Sequence, residues 1–277
     1  MRKMSLRELQ TASLDILKDV DRFCRENNIT YFLAYGSLLG AIRHKGFIPW
    51  DDDIDILVPR PDYDRLMSTF NVPGYDVFYA EKNPDVYLTY SRICDSARTL
   101  VKTSSPWMKS TYESGLWIDV FPLDAVSDNE QEYLALHKEV CRDYFETVSI
   151  RRRKTKLDRD FGLERNFKTV LHRFLHPIRH FQSPMPAKNR LVAQMMACPE
   201  YGSTGHVSML SCPEVHRPEW FPKEDFSSAV DVEFEGCLFK APVGWKHHLT
   251  QLWGDYMQLP PIEDRTPKQT YLRVFYK

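Results

Sequence analysis

Residues 49–60 read PWDDDIDILVPR, so Asp51, Asp52, Asp53 and Asp55 fall within five positions and an apolar run follows at once. Carboxylates a few ångströms apart raise one another's pKa, and such a group is costly unless a cation or basic ligand compensates it. In extended chain alternate side chains share a face. Asp51, Asp53 and Asp55 are therefore expected on one side, with Ile54, Ile56 and Val58 in the core. A divalent cation is the natural partner. An EF-hand calcium loop requires glycine at its sixth position and glutamate at its twelfth. Counted from Asp51, those positions hold Ile56 and Asp62, which argues against calcium. A Mg²⁺ (or Mn²⁺) site for phosphoryl chemistry fits better: Asp53 and Asp55 would bridge the ion to phosphate oxygens, beside a turn that cradles the phosphates.

That turn lies upstream. YFLAYG ends at Gly36-Ser37 and SLLGAIRHKG follows as a short helix opened by Ser37. Backbone N–H groups of Gly36 and Ser37, and the Ser37 hydroxyl, would then meet phosphate at the positive end of a helix dipole. Arg43 and Lys45, at the other end of the same helix, are candidates for contacting a diphosphate, the arginine as a bidentate grip. Asp119 lies in WIDVF, an apolar strand-like stretch in which an acid needs a partner. It is the candidate third carboxylate, holding metal or taking the proton of an acceptor hydroxyl. Each candidate has a plain structural alternative: solvated aspartates at a strand end, a core aspartate capping backbone, or basic charge at a helix C-terminus.

Positioning these groups requires an alternation of helices and strands. Apolar residues Leu6, Leu9, Leu14, Ile16, Leu17, Val20 and Phe23 recur at helical spacing, and RENNIT ends that helix. Strands are expected at YFLAYG, at IDILVP, at Val77–Tyr79, Tyr87–Ile93 and Leu116–Phe121, with a helix at DYDRLMSTF between the second and third. Asp124, in PLD, reads as a turn residue. Residues 130–181 change character: QEYLALHKEVCRDYFETV is helical, RRRKTK is a charge run, and FKTVLHRFLHPIRHF is basic, aromatic and amphipathic. A strand-like section resumes at Val207.

With 277 residues, 43% hydrophobic and 27% charged, the chain can bury a sizeable core. A net charge of −1 and a pI near 6.8 give it no overall attraction to nucleic acid, which is not an expected partner. The six cysteines form no C-x-x-C pair and read as reduced structural thiols. MRKMSLRELQ reaches no apolar leader, and ITYFLAYGSLLGAI is shorter than the roughly 18 residues of a membrane span. The expected location is the cytoplasm.

A Gly-Ser turn followed after a short helix by Asp53-Ile54-Asp55 is the nucleotidyltransferase-superfamily pattern, and YGSLLGAIRHKGFIPWDDDIDILVPRPDY resembles more closely the signature of the LicD family. GLWIDVFPLDAV (115–126) and FEGCLFKAPVGWKHHLTQLWGDYMQLPP (234–261) agree with it. That family includes phosphocholine transferases and is related to fukutin and fukutin-related protein. The resemblance implies an α/β fold, a nucleotidyltransferase-like mixed sheet flanked by helices, in one domain. Its core would span about 1–127, a helical insert about 128–205 and the remaining part about 206–277. It also implies transfer of phosphocholine or an alditol phosphate from a CDP-activated alcohol donor to a hydroxyl of a glycan or lipid-linked glycan, with CMP leaving. Asp53, Asp55 and Asp119 would serve as metal-holding catalytic residues, and Gly36, Ser37, Arg43 and Lys45 as donor-binding residues. The basic aromatic segment of the insert would give peripheral contact with the inner membrane face if the acceptor is lipid-linked. The nearest alternatives are nucleotidyl transfer from an NTP with release of pyrophosphate, and a non-catalytic nucleotide- or metal-binding module. One departure stands out: beyond Arg265, Lys268 and Gln269 occupy the place where the family pattern has a histidine.

Overall fold

Helix α1 (Leu6–Glu26) is fixed at its start by a capping box. The Ser5 hydroxyl accepts from the Glu8 amide at 3.3 Å while the Glu8 carboxylate accepts from the Ser5 amide at 2.9 Å. Its apolar stripe buries Ile16, Leu17 and Val20 completely. The computed structural model describes residues 1–103, 113–153, 170, 182–214, 217–266 and 272–277.

The sheet under α1 is mixed. Strands β2 (Phe32–Leu33), β3 (Asp55–Pro59), β8 (Leu116–Val126), β9 (His206–Ser208) and β10 (Phe221–Pro222) run in the order β10-β9-β8-β3-β2. β5 (Ser91–Asp95) also pairs with β8 and carries β4 (Tyr75–Phe78) outside it. β3 and β8 are parallel, with Asp55 opposite Asp119, and the other pairs are antiparallel. A second sheet orders β1 (Arg2–Lys3), β13 (Leu272–Tyr276), β6 (Thr99–Thr103) and β7 (Glu113–Ser114), and β11 (Ala229–Phe234) forms a hairpin with β12 (Cys237–Pro242). Helices α2 (Tyr35–His44), α3 (Arg60–Thr69), α4 (Glu130–Arg153), α5 (Met185–Met196) and α6 (Trp245–Trp253) surround these sheets. The result is the nucleotidyltransferase-like α/β fold expected.

β8 organises everything else, and its Pro122 explains how. β5 covers Leu116–Val120 on one edge and β9 covers Asp124–Val126 on the same edge, which leaves a gap between them. Asp119 donates its amide to Ile54 of the neighbouring segment, so residue 122, odd by three, has its backbone directed to the gapped edge. A proline lacks an N–H and is tolerated where no ladder partner is present to receive one. The strand therefore runs straight through PLD. Asp124 is not a turn residue but a buried strand residue, held by both Arg60 Nε (2.6 Å) and Nη2 (2.9 Å).

Arg60 also reaches Glu81 at 3.1 Å, which accepts from the Tyr63 hydroxyl at 2.7 Å, and Tyr63 lies 2.6 Å from the Ser91 hydroxyl. This chain of buried polar groups locks α3 to the underside of β8 and β5. Lys188 of α5 adds a second tie: its buried ammonium donates to the carbonyls of Ala80, Asn83 (3.1 Å) and Val86 (2.7 Å). Three acceptors satisfy the three donors of a lysine.

The six cysteines are free thiols. Among the described residues, no helix is long and apolar enough to cross a membrane. Lys154–Lys156 of the charge run and the segment FKTVLHRFLHPIRHF, apart from Val170, lie outside the described residues, as do Lys268 and Gln269.

Candidate active site

Three adjacent strands present one polar row. Asp55 on β3 is in register with Asp119 on β8, and Asp119 is in register with Arg92 on β5. The alternate residues Ile54, Ile56, Val58, Ile118 and Val120 are fully buried on the opposite face. Arg92 donates from Nε to Asp119 Oδ1 at 2.6 Å, and its guanidinium lies 4.0 Å from the centre of the Trp117 ring. Both partners of that ion pair are buried, which fixes the carboxylate in one orientation.

Burial pushes Asp55 well above the ordinary carboxylate value. Asp53, Asp119 and Asp51 push it further, and Arg92 pulls the other way. Asp119 is also raised, by burial first, against the pull of Arg92, with Asp53 again adding to the rise. Asp53 is thus the carboxylate that acts on both.

The segment before β3 differs from expectation. Asp51–Asp53 are not strand: the Asp51 amide turns back to the Ile48 carbonyl at 2.8 Å, and the strand starts only at Asp55. The turn abolishes strict alternation, so Asp52 joins its neighbours, and Asp51, Asp52 and Asp53 can bring one oxygen each within 4.8 Å of one another. This is a denser anionic cluster than three aspartates spaced along a strand.

Gly36 and Ser37 support it. A Cβ on Gly36 would come within 2.5 Å of Asp51 Oδ2, so the absence of a side chain is what lets Asp51 approach α2. Ser37 is buried, and its hydroxyl accepts from the Asp55 amide at 3.0 Å. The sequence pointed this hydroxyl at phosphate; in the fold its oxygen anchors the first residue of β3. Helix α2 begins at Tyr35, two residues earlier than expected, and Tyr35 takes φ 45°, a left-handed conformation costly for a residue with a Cβ. Backbone strain of this kind concentrates at functional sites.

The two basic candidates lie elsewhere. Arg43 donates to the carbonyls of Tyr256 (2.9 Å) and Gln258 (3.3 Å) and to His44 Nε2 (2.9 Å), tying α2 to the C-terminal segment. Lys45 is exposed in the left-handed cap of α2, about 13 Å along the helix from Gly36 at 1.5 Å per residue. The structure brings together Gly36, Ser37, Asp53, Asp55 and Asp119, and not Arg43 or Lys45.

Glu219 was not legible in advance. It sits in PEWFP with no pattern around it, yet it is buried and accepts from the Tyr35 hydroxyl at 2.9 Å. Burial raises it from 4.5 to about 8 against the pull of that hydrogen bond. A folded-state carboxyl above its unfolded value retains a proton that the unfolded chain has lost. Its contribution to stability is full below the unfolded value and is lost as pH rises through about 8. Wild type minus Glu219→Gln, measured as Tm from pH 5 to pH 8.5, should therefore fall with rising pH. Parallel Tm curves for the two proteins would refute this.

An anionic, all-oxygen cluster, one buried carboxylate of which is raised mainly by burial and by its like-charged neighbours, is a donor set suited to a hard divalent cation. Together with a mixed α/β sheet and a helix start packed on the acidic segment, this defines a transferase of the nucleotidyltransferase class. The family model described as LicD/FKTN/FKRP, nucleotidyltransferase domain, matches residues 28–144. The Lipopolysaccharide cholinephosphotransferase LicD of Haemophilus influenzae is 33% identical over 272 residues, covering 96% of this chain and 97% of that protein. An uncharacterized protein of Rickettsia typhi is 28% identical over 142 residues, 50% of this chain and 43% of its own length. Another from Rickettsia prowazekii is 40% identical over 67 residues, 23% of this chain and 25% of its own. The chain belongs to the LicD family.

Proposed function

We propose that this chain transfers phosphocholine or, as the related possibility, an alditol phosphate from a CDP-activated donor to a hydroxyl of a cell-surface glycan (lipopolysaccharide, teichoic acid or capsule), releasing CMP. The observation that carries the proposal is the end-to-end match to the Haemophilus protein, whose name states cholinephosphate transfer to lipopolysaccharide. The insert is included in that match, so one domain serving one reaction is the simplest organisation. We place the reaction on the cytoplasmic side, where CDP-alcohols and lipid-linked acceptors meet.

Asp53, Asp55 and Asp119 are the residues to hold Mg²⁺ or Mn²⁺. When bound, the ion would neutralise charge on the donor diphosphate and on the departing CMP. The chain's own part is to hold the carboxylates still. Ser37 fixes the start of β3 through the Asp55 amide, Gly36 makes room for Asp51, and Arg92 clamps Asp119 through Oδ1. The acceptor oxygen bonds to the substituted phosphorus as that phosphorus separates from the oxygen that leaves with CMP. The hydroxyl proton passes to a carboxylate oxygen, a role that we assign to Asp119.

Product analysis tests the reading. Purified chain with lipopolysaccharide acceptor is offered CDP-choline, CDP-glycerol, CDP-ribitol or CTP, with Mg²⁺ or with EDTA. CMP release from one CDP-alcohol, lost in EDTA, is the expected result. Pyrophosphate release from CTP would replace it with nucleotidyl transfer, and metal or nucleotide binding without turnover would replace it with a binding module.

A further inference from the structure

The donor's phosphates need a cation, and most arginines near the site are committed. Arg92 holds Asp119, Arg43 holds two backbone carbonyls, Arg60 holds Asp124 and Glu81, and Arg265 Nε donates to the Pro260 carbonyl. Arg151, in the last turn of α4, is different: its Nε is buried and makes no hydrogen bond. A buried N–H with no partner is uncommon and costly.

The helix sets where this guanidinium lies. His137, Tyr144 and Arg151 recur every seven residues, two turns apart, on one face of α4. The Tyr144 hydroxyl is 2.9 Å from Cys212 Sγ, so that face packs on the segment leading to Glu219. Burial raises the hydroxyls of both Tyr144 and Tyr90, and the charge of Arg151 offsets part of the rise in each. Tyr90 in turn stands beside Arg92, 5.7 Å from its ring centre, and within the field of Asp119. The insert helix therefore brings a cation with a spare donor towards the end of the carboxylate row.

We propose that Arg151 grips a phosphate of the donor, so that the insert supplies the anion contact that α2 does not. This rests on the transferase reading above in its choice of donor, though not in its chemistry. Arg151 carries an unpartnered Nε on a planar guanidinium, a group whose fork can match two phosphate oxygens at once. Its place on the insert makes donor binding depend on the docking of α4 against the segment that carries Ser208 and Cys212.

Isothermal titration of the full chain with Mg²⁺ tests it, using inorganic pyrophosphate and CDP-choline as separate probes on wild type, Arg151→Met and Arg151→Lys. Circular dichroism checks folding, and Arg151→Gln stands in if the methionine variant fails to fold. Arg151→Met should weaken both probes tenfold or more, and Arg151→Lys should recover part of the loss as a point charge without the fork. In turnover the variant should raise KM for the donor more than it lowers kcat. Arg151-dependent pyrophosphate binding in a chain that binds and uses none of CDP-choline, CDP-glycerol and CDP-ribitol would keep this role and overturn the transferase reading. Unchanged affinity for both probes in a folded variant, or no pyrophosphate binding by wild type, would overturn the role of Arg151.

Discussion

Asp55→Asn should lower CMP release by roughly 10³-fold or more, at or above the upper end of the loss expected when one charge-stabilising group is removed from an active site. The same chain should be as stable as wild type or more so. The amide has the shape of the carboxyl, and the backbone N–H of residue 55 still reaches Ser37. What disappears is a buried charge repelled by Asp53, Asp119 and Asp51. Relieving buried repulsion favours the fold, while on the proposed role of Asp55 the change removes an oxygen that would hold the metal. Thermal unfolding with and without Mg²⁺ separates the two effects. Wild type should gain Tm with the ion, by the linkage of binding to folding, and Asp55→Asn should gain little. Asp53→Asn should follow the same pattern, because Asp53 acts on both neighbouring carboxylates. Wild-type-like turnover in either variant would remove the assignment. A lost activity accompanied by a large fall in Tm would make Asp55 a structural residue instead.

The parts of this site that were legible were the ones encoded in adjacent residues. Asp53-Ile54-Asp55 announced the strand that begins at Asp55, although Asp53 itself lies in the segment before it, and Gly36-Ser37 announced a helix, which begins one residue before that pair, at Tyr35. Asp119 was legible as a candidate because an acid in so apolar a strand needs a partner; the fold sets it opposite Asp55 and gives it Arg92 as that partner. Contacts made across the fold were not. That Arg43 would be absorbed by the carbonyls of residues 256 and 258 depends on where the C-terminal segment returns, and no local pattern records it. Glu219 and Tyr35 meet across 184 residues. The strand at 272–276 was missed because it completes a sheet with β6 and β1, so its stability comes from partners distant in sequence. Pro122 misled in the other direction. Local propensity stops a strand at proline, but the tertiary gap between β5 and β9 removes the penalty.

That continuation of β8 creates the most vulnerable point in the fold, and Arg60→Met should expose it. Arg60 is the cation between two nearly inaccessible carboxylates, Asp124 at 2% and Glu81 at 4% side-chain exposure. Burial already raises both acids, and Arg60 is the charge that draws them back. Removing it leaves two buried carboxylates without their counter-ion, for which a loss of about 3–5 kcal/mol is expected. The loss has a pH signature. With Arg60 gone both acids move further above their unfolded values, so the variant keeps most of its stability where they are protonated and loses it as pH rises. Urea unfolding at pH 5.5 and pH 8 should show a larger deficit at the higher pH. Asp124→Asn added to Arg60→Met should restore part of the stability, since a neutral amide does not need the counter-ion. A double-mutant cycle over Arg60 and Asp124 should then give a clear coupling energy between residues in contact. Additive losses with no pH dependence would mean that Arg60 stabilises α3 by packing over Tyr63, whose ring centre is 5.0 Å away, rather than by charge.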